Sequence, residues 1–320
     1  ALFGFENARE VWFKGIDTRM KFALYAARKG QPTEEFPSAF SITSELGLAA
    51  ARTMPLHLPV ALVREFSPDA LAVMEFSNQL EIDIARKMYE RFPRLGDKVD
   101  GLPEWQPLRE VDMGNDRDLF TTDSDGLPVY QGSMVTHHDY RAKGYVSGHG
   151  RNVAWGPLGF GSAEKSIRPQ WRIMPETIPS KIKERTQRYR IGFCDIARAD
   201  DQRSLMAALV PPNTVCGHKV PTIEFHPNDP ATLILWLGVA NTLAMDFIVR
   251  MKIALTMSMS LLATLPFPRQ VLAGHPSAKV CALAARLSCA GPEMSEFLEQ
   301  LRQEPALVGL DLTPSEDPEE

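Results

Sequence analysis

The chain has 320 residues, 44% of them hydrophobic and 23% charged. This composition excludes a disordered or fibrous protein, and the length is enough to bury a core in one large domain or two ordinary ones. A net charge of −5 provides no general attraction to a polyanion.

The average conceals a split. Residues 137–219 hold 14 Lys and Arg against 7 Asp and Glu, a local charge of +7, and the remainder holds 21 basic and 33 acidic residues, or −12. A basic middle between acidic flanks fits either a nucleic-acid surface or a solvated charged face. Cysteines at 194, 216, 281 and 289 form no Cys-x-x-Cys pair, so zinc-ribbon spacing is absent. Cys194 and Cys216 sit in apolar, strand-like surroundings and read as buried thiols. Low cysteine use and the lack of a secretory signal point to a reducing cytoplasm.

The chain opens at Ala1 on an apolar-aromatic run (Leu2, Phe3, Phe5) rather than on a polar terminus, so a piece of a longer protein is expected. Residues 17–26 alternate charge and hydrophobe and then turn apolar, as a strand entering a core does. Residues 30–60, with prolines at 32, 37, 55 and 59, read as a connector with a small helix near 44–52. Ser67-Pro68 reads as a helix start or turn. Asn78 to Phe92 is the clearest early helix, with Leu80, Ile84, Met88 and Phe92 as its apolar stripe and Pro93 ending it. The main domain is therefore placed from about residue 95.

From 126 to 228 short strands take over. Tyr189, Ile191 and Phe193 alternate with Arg190, Gly192 and Cys194, the period of a half-buried strand. Residues 204–210 form its hairpin partner, closed by Pro211-Pro212-Asn213. A strand at 214–216 turns at Gly217-His218-Lys219, and another follows at 222–225. Asn228-Asp229-Pro230 starts a long helix to about Val249, with Leu233, Trp236, Leu237, Ala240, Leu243, Ala244 and Phe247 buried. Asn241 and Asp246 interrupt this stretch, which reads as a core helix and not a membrane span. Helices at 276–289 and 292–303 precede an acidic, disordered tail at 315–320. The expected fold class is α+β: a small, mainly antiparallel sheet from 127–226 braced by helices, with a helical N-terminal connector and C-terminal helices.

Three groups of residues bear on chemistry. Gly148-His149-Gly150 and the glycines at 156, 159 and 161 are the candidates for an S-adenosylmethionine loop, but neither set follows a long apolar strand or opens a helix. The Asn-Pro-Pro-Tyr tetrapeptide that grips a flipped adenine is also missing, so no catalytic residue and no cofactor is assigned to this chain. His137-His138-Asp139 admits three readings: a metal or acid–base site using His137 and Asp139, a phosphate or sugar contact, and a structural role. The third group is basic. Arg141, Lys143, Arg151, Lys165, Arg168 and Arg172 are interleaved with Tyr140, Tyr145, Trp155, Phe160 and Trp171, and Lys181, Lys183, Arg185, Arg188 and Arg190 extend the charge. Arginines suit guanine edges and lysines suit phosphates. Six phosphate contacts would give a log K against log salt slope of roughly −5.

Gly126-Leu127-Pro128-Val129-Tyr130-Gln131-Gly132-Ser133-Met134-Val135, followed by His138-Asp139-Tyr140-Arg141, resembles a segment of large N6-adenine DNA methyltransferases. The blocks Tyr189–Ile196 and Ala199–Leu205, then Gly217-His218-Lys219, Asp246–Lys252 and Leu265-Pro266-Phe267-Pro268, resemble further segments of that family in the same order. The resemblance covers roughly residues 1–270. It implies the C-terminal target-recognition region of a fused restriction-modification or phage-defence enzyme. On that reading residues 1–29 end the catalytic domain, 30–95 are a connector, 96–270 bind DNA, and 271–320 are C-terminal helices and tail. The implied partners are double-stranded DNA and an upstream methyltransferase domain of the same polypeptide that holds S-adenosylmethionine; no membrane is implied. The implied DNA contacts are Arg141, Lys143, Arg151, Lys165, Arg168, Arg190, Arg198, Arg203, His218, Lys219, Arg250 and Lys252. Tyr130, His137, His138 and Asp139 are contacts or structural residues. After Lys252 the family's polar, glycine-containing loop is replaced by Ala254-Leu255-Thr256-Met257-Ser258-Met259. Two other function classes compete: a metal-dependent hydrolase using His137 and Asp139, and a protein-interaction module of a defence complex.

Overall fold

In the computed structural model, residues 1–159, 165–197, 201–253 and 256–315 are described, apart from the Arg151 side chain. Of the residues singled out above, Phe160, Gly161, Arg198, Ala199, Asp200, Ala254, Leu255 and the tail at 316–320 lie outside them. The chain divides into two compact units, Ala1–Arg94 with Thr264–Pro266, and Leu95–Ala263 with Phe267–Glu320. The fold is α+β, with several small, mostly antiparallel sheets instead of one.

In the first unit, β1 (Leu2–Glu6), β2 (Lys21–Tyr25), β3 (Glu35–Ile42) and β4 (Leu56–Pro59) form a sheet in the order β2-β1-β3-β4. β1 runs antiparallel to β2 and parallel to β3. The segment read as a connector is therefore part of a sheet: alternation in β3 buries Ser38 and Ile42 against it. β2 is an edge strand that reaches the core through Phe22, stacked on Phe5 at 4.9 Å, while Leu24 and Tyr25 are exposed. Helices α1 (Glu45–Thr53), α2 (Val60–Phe66) and α3 (Gln79–Arg91) complete the unit. Ser67 ends α2 and residues 68–70 form a turn, so Ser67-Pro68 marks a turn and not a helix start.

Asn78 caps α3 by accepting the Glu81 N–H, while the Glu81 carboxylate accepts the Ser77 N–H. The buried face of α3 is Ile82, Ala85 and Tyr89; Leu80 and Ile84 are exposed. A row at i, i+4, i+8 drifts about 40° per step around a helix of 3.6 residues per turn, so the expected stripe winds off the core face, whereas 82, 85 and 89 stay on one side.

The second unit holds β5 (Glu104–Leu108), β6 (Phe120–Thr121), β7 (Leu127–Tyr130), β8 (Lys143–Ser147), β9 (Ala154–Pro157), β10 (Arg172–Ile173), α4 (Ser180–Lys183), β11 (Arg190–Phe193), β12 (Ala207–Val210), β13 (Val215–Cys216) and β14 (Thr222–His226). These are followed by α5 (Pro230–Ala240), α6 (Leu243–Arg250), α7 (Met259–Ala263), α8 (Pro276–Ser288) and α9 (Ser295–Arg302). The sheets run β12-β11-β14-β5 and β13-β7-β10-β6, and β8 and β9 form a separate hairpin.

The expected long helix is two helices, α5 and α6, bent by 65°. Asn241 is the reason. Its side chain donates to the Ala207 carbonyl at 2.9 Å and accepts the Ala207 N–H, tying the helix end to β12. Thr242 then caps α6 through the Met245 N–H. The bend carries Leu243 and Ala244 to solvent, against the expectation that both are buried. Asp229 caps α5 at the N–H groups of Ala231 and Thr232. Among the described residues no single helix is long and apolar enough to cross a membrane. Ser315, assigned to the disordered tail, is buried and donates its N–H to the Arg286 carbonyl.

Candidate nucleic-acid interface

The parallel pair β7–β13 places Tyr130 beside Cys216, and the turns that leave each strand open a cavity of about 660 Å³ in the second unit. Its walls include Met113, Ser133, Thr136, Lys143, Trp155 and Lys219. Gly217 lets these turns approach closely: a Cβ there would stand 2.9 Å from Met113 Sδ and 3.1 Å from the Tyr130 carbonyl oxygen.

One side of the cavity is the β8–β9 hairpin, where Tyr145 pairs with Trp155 and their rings meet edge to face at 6.1 Å. The hairpin tip turns at Gly148, whose φ of +87° and 2.1 Å approach of a Cβ to the Asn152 carbonyl oxygen admit no side chain. Arg151 lies in the tip. The segment 165–168 lies against β8: the Tyr145 N–H donates to the Arg168 carbonyl at 2.9 Å, and Gly144 leaves room for the Arg168 side-chain stem. Lys143 and Arg168 are thus brought to neighbouring backbone positions, both exposed.

A second basic group stands at the turn after β13. Lys219 Nζ lies 3.3 Å and Arg109 Nη1 3.1 Å from Asp195 Oδ2, and Arg109 also donates to the His218 carbonyl. The Met113 N–H donates to His218 Nδ1 at 3.1 Å, which places the ring proton on Nε2 in the neutral form. Lys219 and Arg109 are each about two-fifths exposed, against 4% for the Asp195 side chain, so the cations face outward over an interior carboxylate. Arg109 was not anticipated from sequence. Its partner His218 is 109 residues away, and nothing local marks the pairing.

Several expected contacts are buried or tied to partners within the protein. Arg190 is wholly buried, donating to both oxygens of Glu110. Arg141 lies over the Tyr140 ring and donates to the Lys165 and Ala290 carbonyls. Lys165 is buried in a 2.5 Å pair with Asp139, whose other oxygen accepts the Arg141 N–H at 2.8 Å. Tyr130 is fully buried, and burial raises its phenol pKa. His138 Nδ1 lies 2.8 Å from Ser288 Oγ, and burial pushes its pKa down to about 4. Arg250 pairs with Asp246 at 2.7 Å and donates to the carbonyls of Asp201 and Gln202, which fastens the hairpin link. Arg203 and Lys252 are half-buried.

The His137–Asp139 turn does not assemble a donor set. Asp139 is occupied by Lys165, His137 Nδ1 lies 3.4 Å from Thr136 Oγ1, and among the described residues no group of three His, Cys, Asp or Glu stands close enough to hold a metal ion. Burial lowers the His137 pKa, and the nearby Arg203 charge lowers it further. Gly148 and Gly150 belong to the tip that joins β8 to β9, which contains a single 3-10 turn at Gly150–Asn152, and Gly156 belongs to β9, so these glycines serve a β-hairpin. Against known proteins, the sequence matches no family profile and no curated protein.

Proposed function

We propose that this chain recognises double-stranded DNA for an S-adenosylmethionine-dependent adenine-N6 methyltransferase of a restriction-modification or phage-defence system. The observation that carries this is the outward-facing cation set, Lys143 and Arg168 beside the hairpin and Lys219 and Arg109 at the β13 turn. The ordered motifs from Gly126 to Pro268 supply the methyltransferase part of the reading.

In this mechanism the exposed lysines and arginines neutralise phosphates and fix the register. The glycine-tipped hairpin, narrow and free of bulky side chains at Gly148 and Gly150, approaches the duplex closely. The interior ions Arg190–Glu110 and Lys165–Asp139 keep the strands that carry these groups in place. Methyl transfer and cofactor binding belong to an upstream domain of the same cytoplasmic polypeptide, and the target adenine leaves the helix to reach it.

The test is fluorescence anisotropy with a labelled duplex at low salt. Lys143, Arg168 and Lys219 changed together to Ala should lower affinity by at least tenfold, with thermal unfolding unchanged. Equal affinity of the triple variant and the parent chain would count decisively against the proposal.

A further inference from the structure

We infer that the cavity between the β8–β9 hairpin and the β13 turn takes a single unstacked nucleotide. The cavity's volume of about 660 Å³ lies within the range of small-ligand sites, about 300–1,000 Å³. Its chemistry is divided. Trp155, Met113 and Met206 give a polarisable apolar wall, Ser133 and Thr136 add hydroxyls, and Lys143 and Lys219 carry ammonium groups on the same lining. A planar base against the indole and thioethers, with its phosphate toward the lysines, uses all three features; aromatic side chains hold single bases in this way without reading sequence.

Among the described residues Asp139 is the one carboxylate on the lining, and it does not repel a phosphate, because Lys165 Nζ stands 2.5 Å from it inside the protein. Asp195 is drawn away in the same manner by Arg109 as well as Lys219. A neutral apolar ligand would leave the Lys143 ammonium on the lining unused, and a simple anion would leave the Trp155 wall so.

The nucleotide has two possible sources, an extrahelical residue of bound DNA or a free mononucleotide. The first rests on the DNA-recognition reading above; the second does not. The experiment compares a paired duplex with the same duplex carrying one unpaired deoxyadenosine, and measures deoxyadenosine monophosphate alone by calorimetry. If the source is DNA, the unpaired residue should tighten binding about tenfold, equivalent to about 1.4 kcal/mol. Trp155→Ala should then abolish that gain, measured as the ratio of the variant's own affinities for the unpaired and the paired duplex. If the source is the free nucleotide, the monophosphate should bind, and both Trp155→Ala and the exposed-site variant Lys143→Ala should weaken it. Lys143→Ala keeps the test valid if Trp155→Ala unfolds the hairpin. A paired duplex that binds, with no gain from the unpaired residue and no monophosphate binding, overturns this inference and leaves DNA recognition standing. Absence of binding by all three probes overturns both.

Discussion

Arg190 and Glu110 form a closed pair in the interior: Nε donates to Oε1 at 2.6 Å and Nη2 to Oε2 at 3.1 Å, with neither side chain exposed. Burial opposes the guanidinium charge, and Glu110 outweighs burial, so the pKa lies above its ordinary value. Glu110 also accepts the Cys216 N–H and the Thr222 hydroxyl, and Arg190 donates to the Thr214 carbonyl. One ion pair thereby joins β11, β13 and β14, strands of two different sheets.

Removing one member leaves the other charged and unsolvated. Arg190→Ala or Glu110→Ala should each lower stability by about 3–5 kcal/mol, measured by denaturant unfolding. The double change to Met and Leu should cost less than either single one. If Arg190→Ala unfolds at the parent's denaturant midpoint, the pair contributes nothing to the fold.

The surface cations make a different prediction. Four outward groups, Lys143, Arg168, Lys219 and Arg109, replace the six first expected, so the slope of log K against log salt should be roughly −3.6. Single changes of Lys143 or Arg168 to Ala should each reduce it by about one unit. A slope near zero in the parent chain would show that these groups do not meet phosphate.

His138 governs a pH dependence. Its pKa is pushed from 6.5 to about 4, first by burial and then by the charges of His137 and Arg203. The unfolded chain therefore binds the proton more readily. Stability should be whole above pH 6.5 and fall as pH drops toward 4, by up to about 3 kcal/mol. His137, shifted the same way, adds to the fall. Urea unfolding of His138→Gln across this window should show a shallower decline; an identical decline assigns the effect to other groups.

Gly238 lies where α5 meets α8. A Cβ there would come within 2.8 Å of Val280 Cγ1 and 3.0 Å of Ala284 Cβ. Alanine favours a helix by about 1 kcal/mol over glycine, yet close packing makes the opposite sign the expected one. Gly238→Ala should lower the melting temperature, and a rise would mean that the two helices can separate.

Local features were legible in the sequence because their causes are local. Asn78 and Asp229 announced the starts of α3 and α5 through caps that bond two or three residues onward. The hairpin of β11 and β12 followed from alternation and from the Pro211-Pro212-Asn213 stop, and the turn at Gly217 from its residues alone. The basic character of 137–219 was also a property of composition. Tertiary structure decided which charges face water. Arg190 looks like any other exposed-side residue of an alternating strand, and only Glu110, 80 residues away, takes it inside. Asn241 breaks the long helix because Ala207, 34 residues earlier, accepts its side chain. Alternation and caps depend on neighbours within one turn or strand, whereas the burial of a charge depends on which partner the fold delivers. The +7 segment was therefore visible from the sequence; which of its cations reach water was not, since Arg190 and Lys219 both meet a buried carboxylate and only Arg190 is enclosed with it.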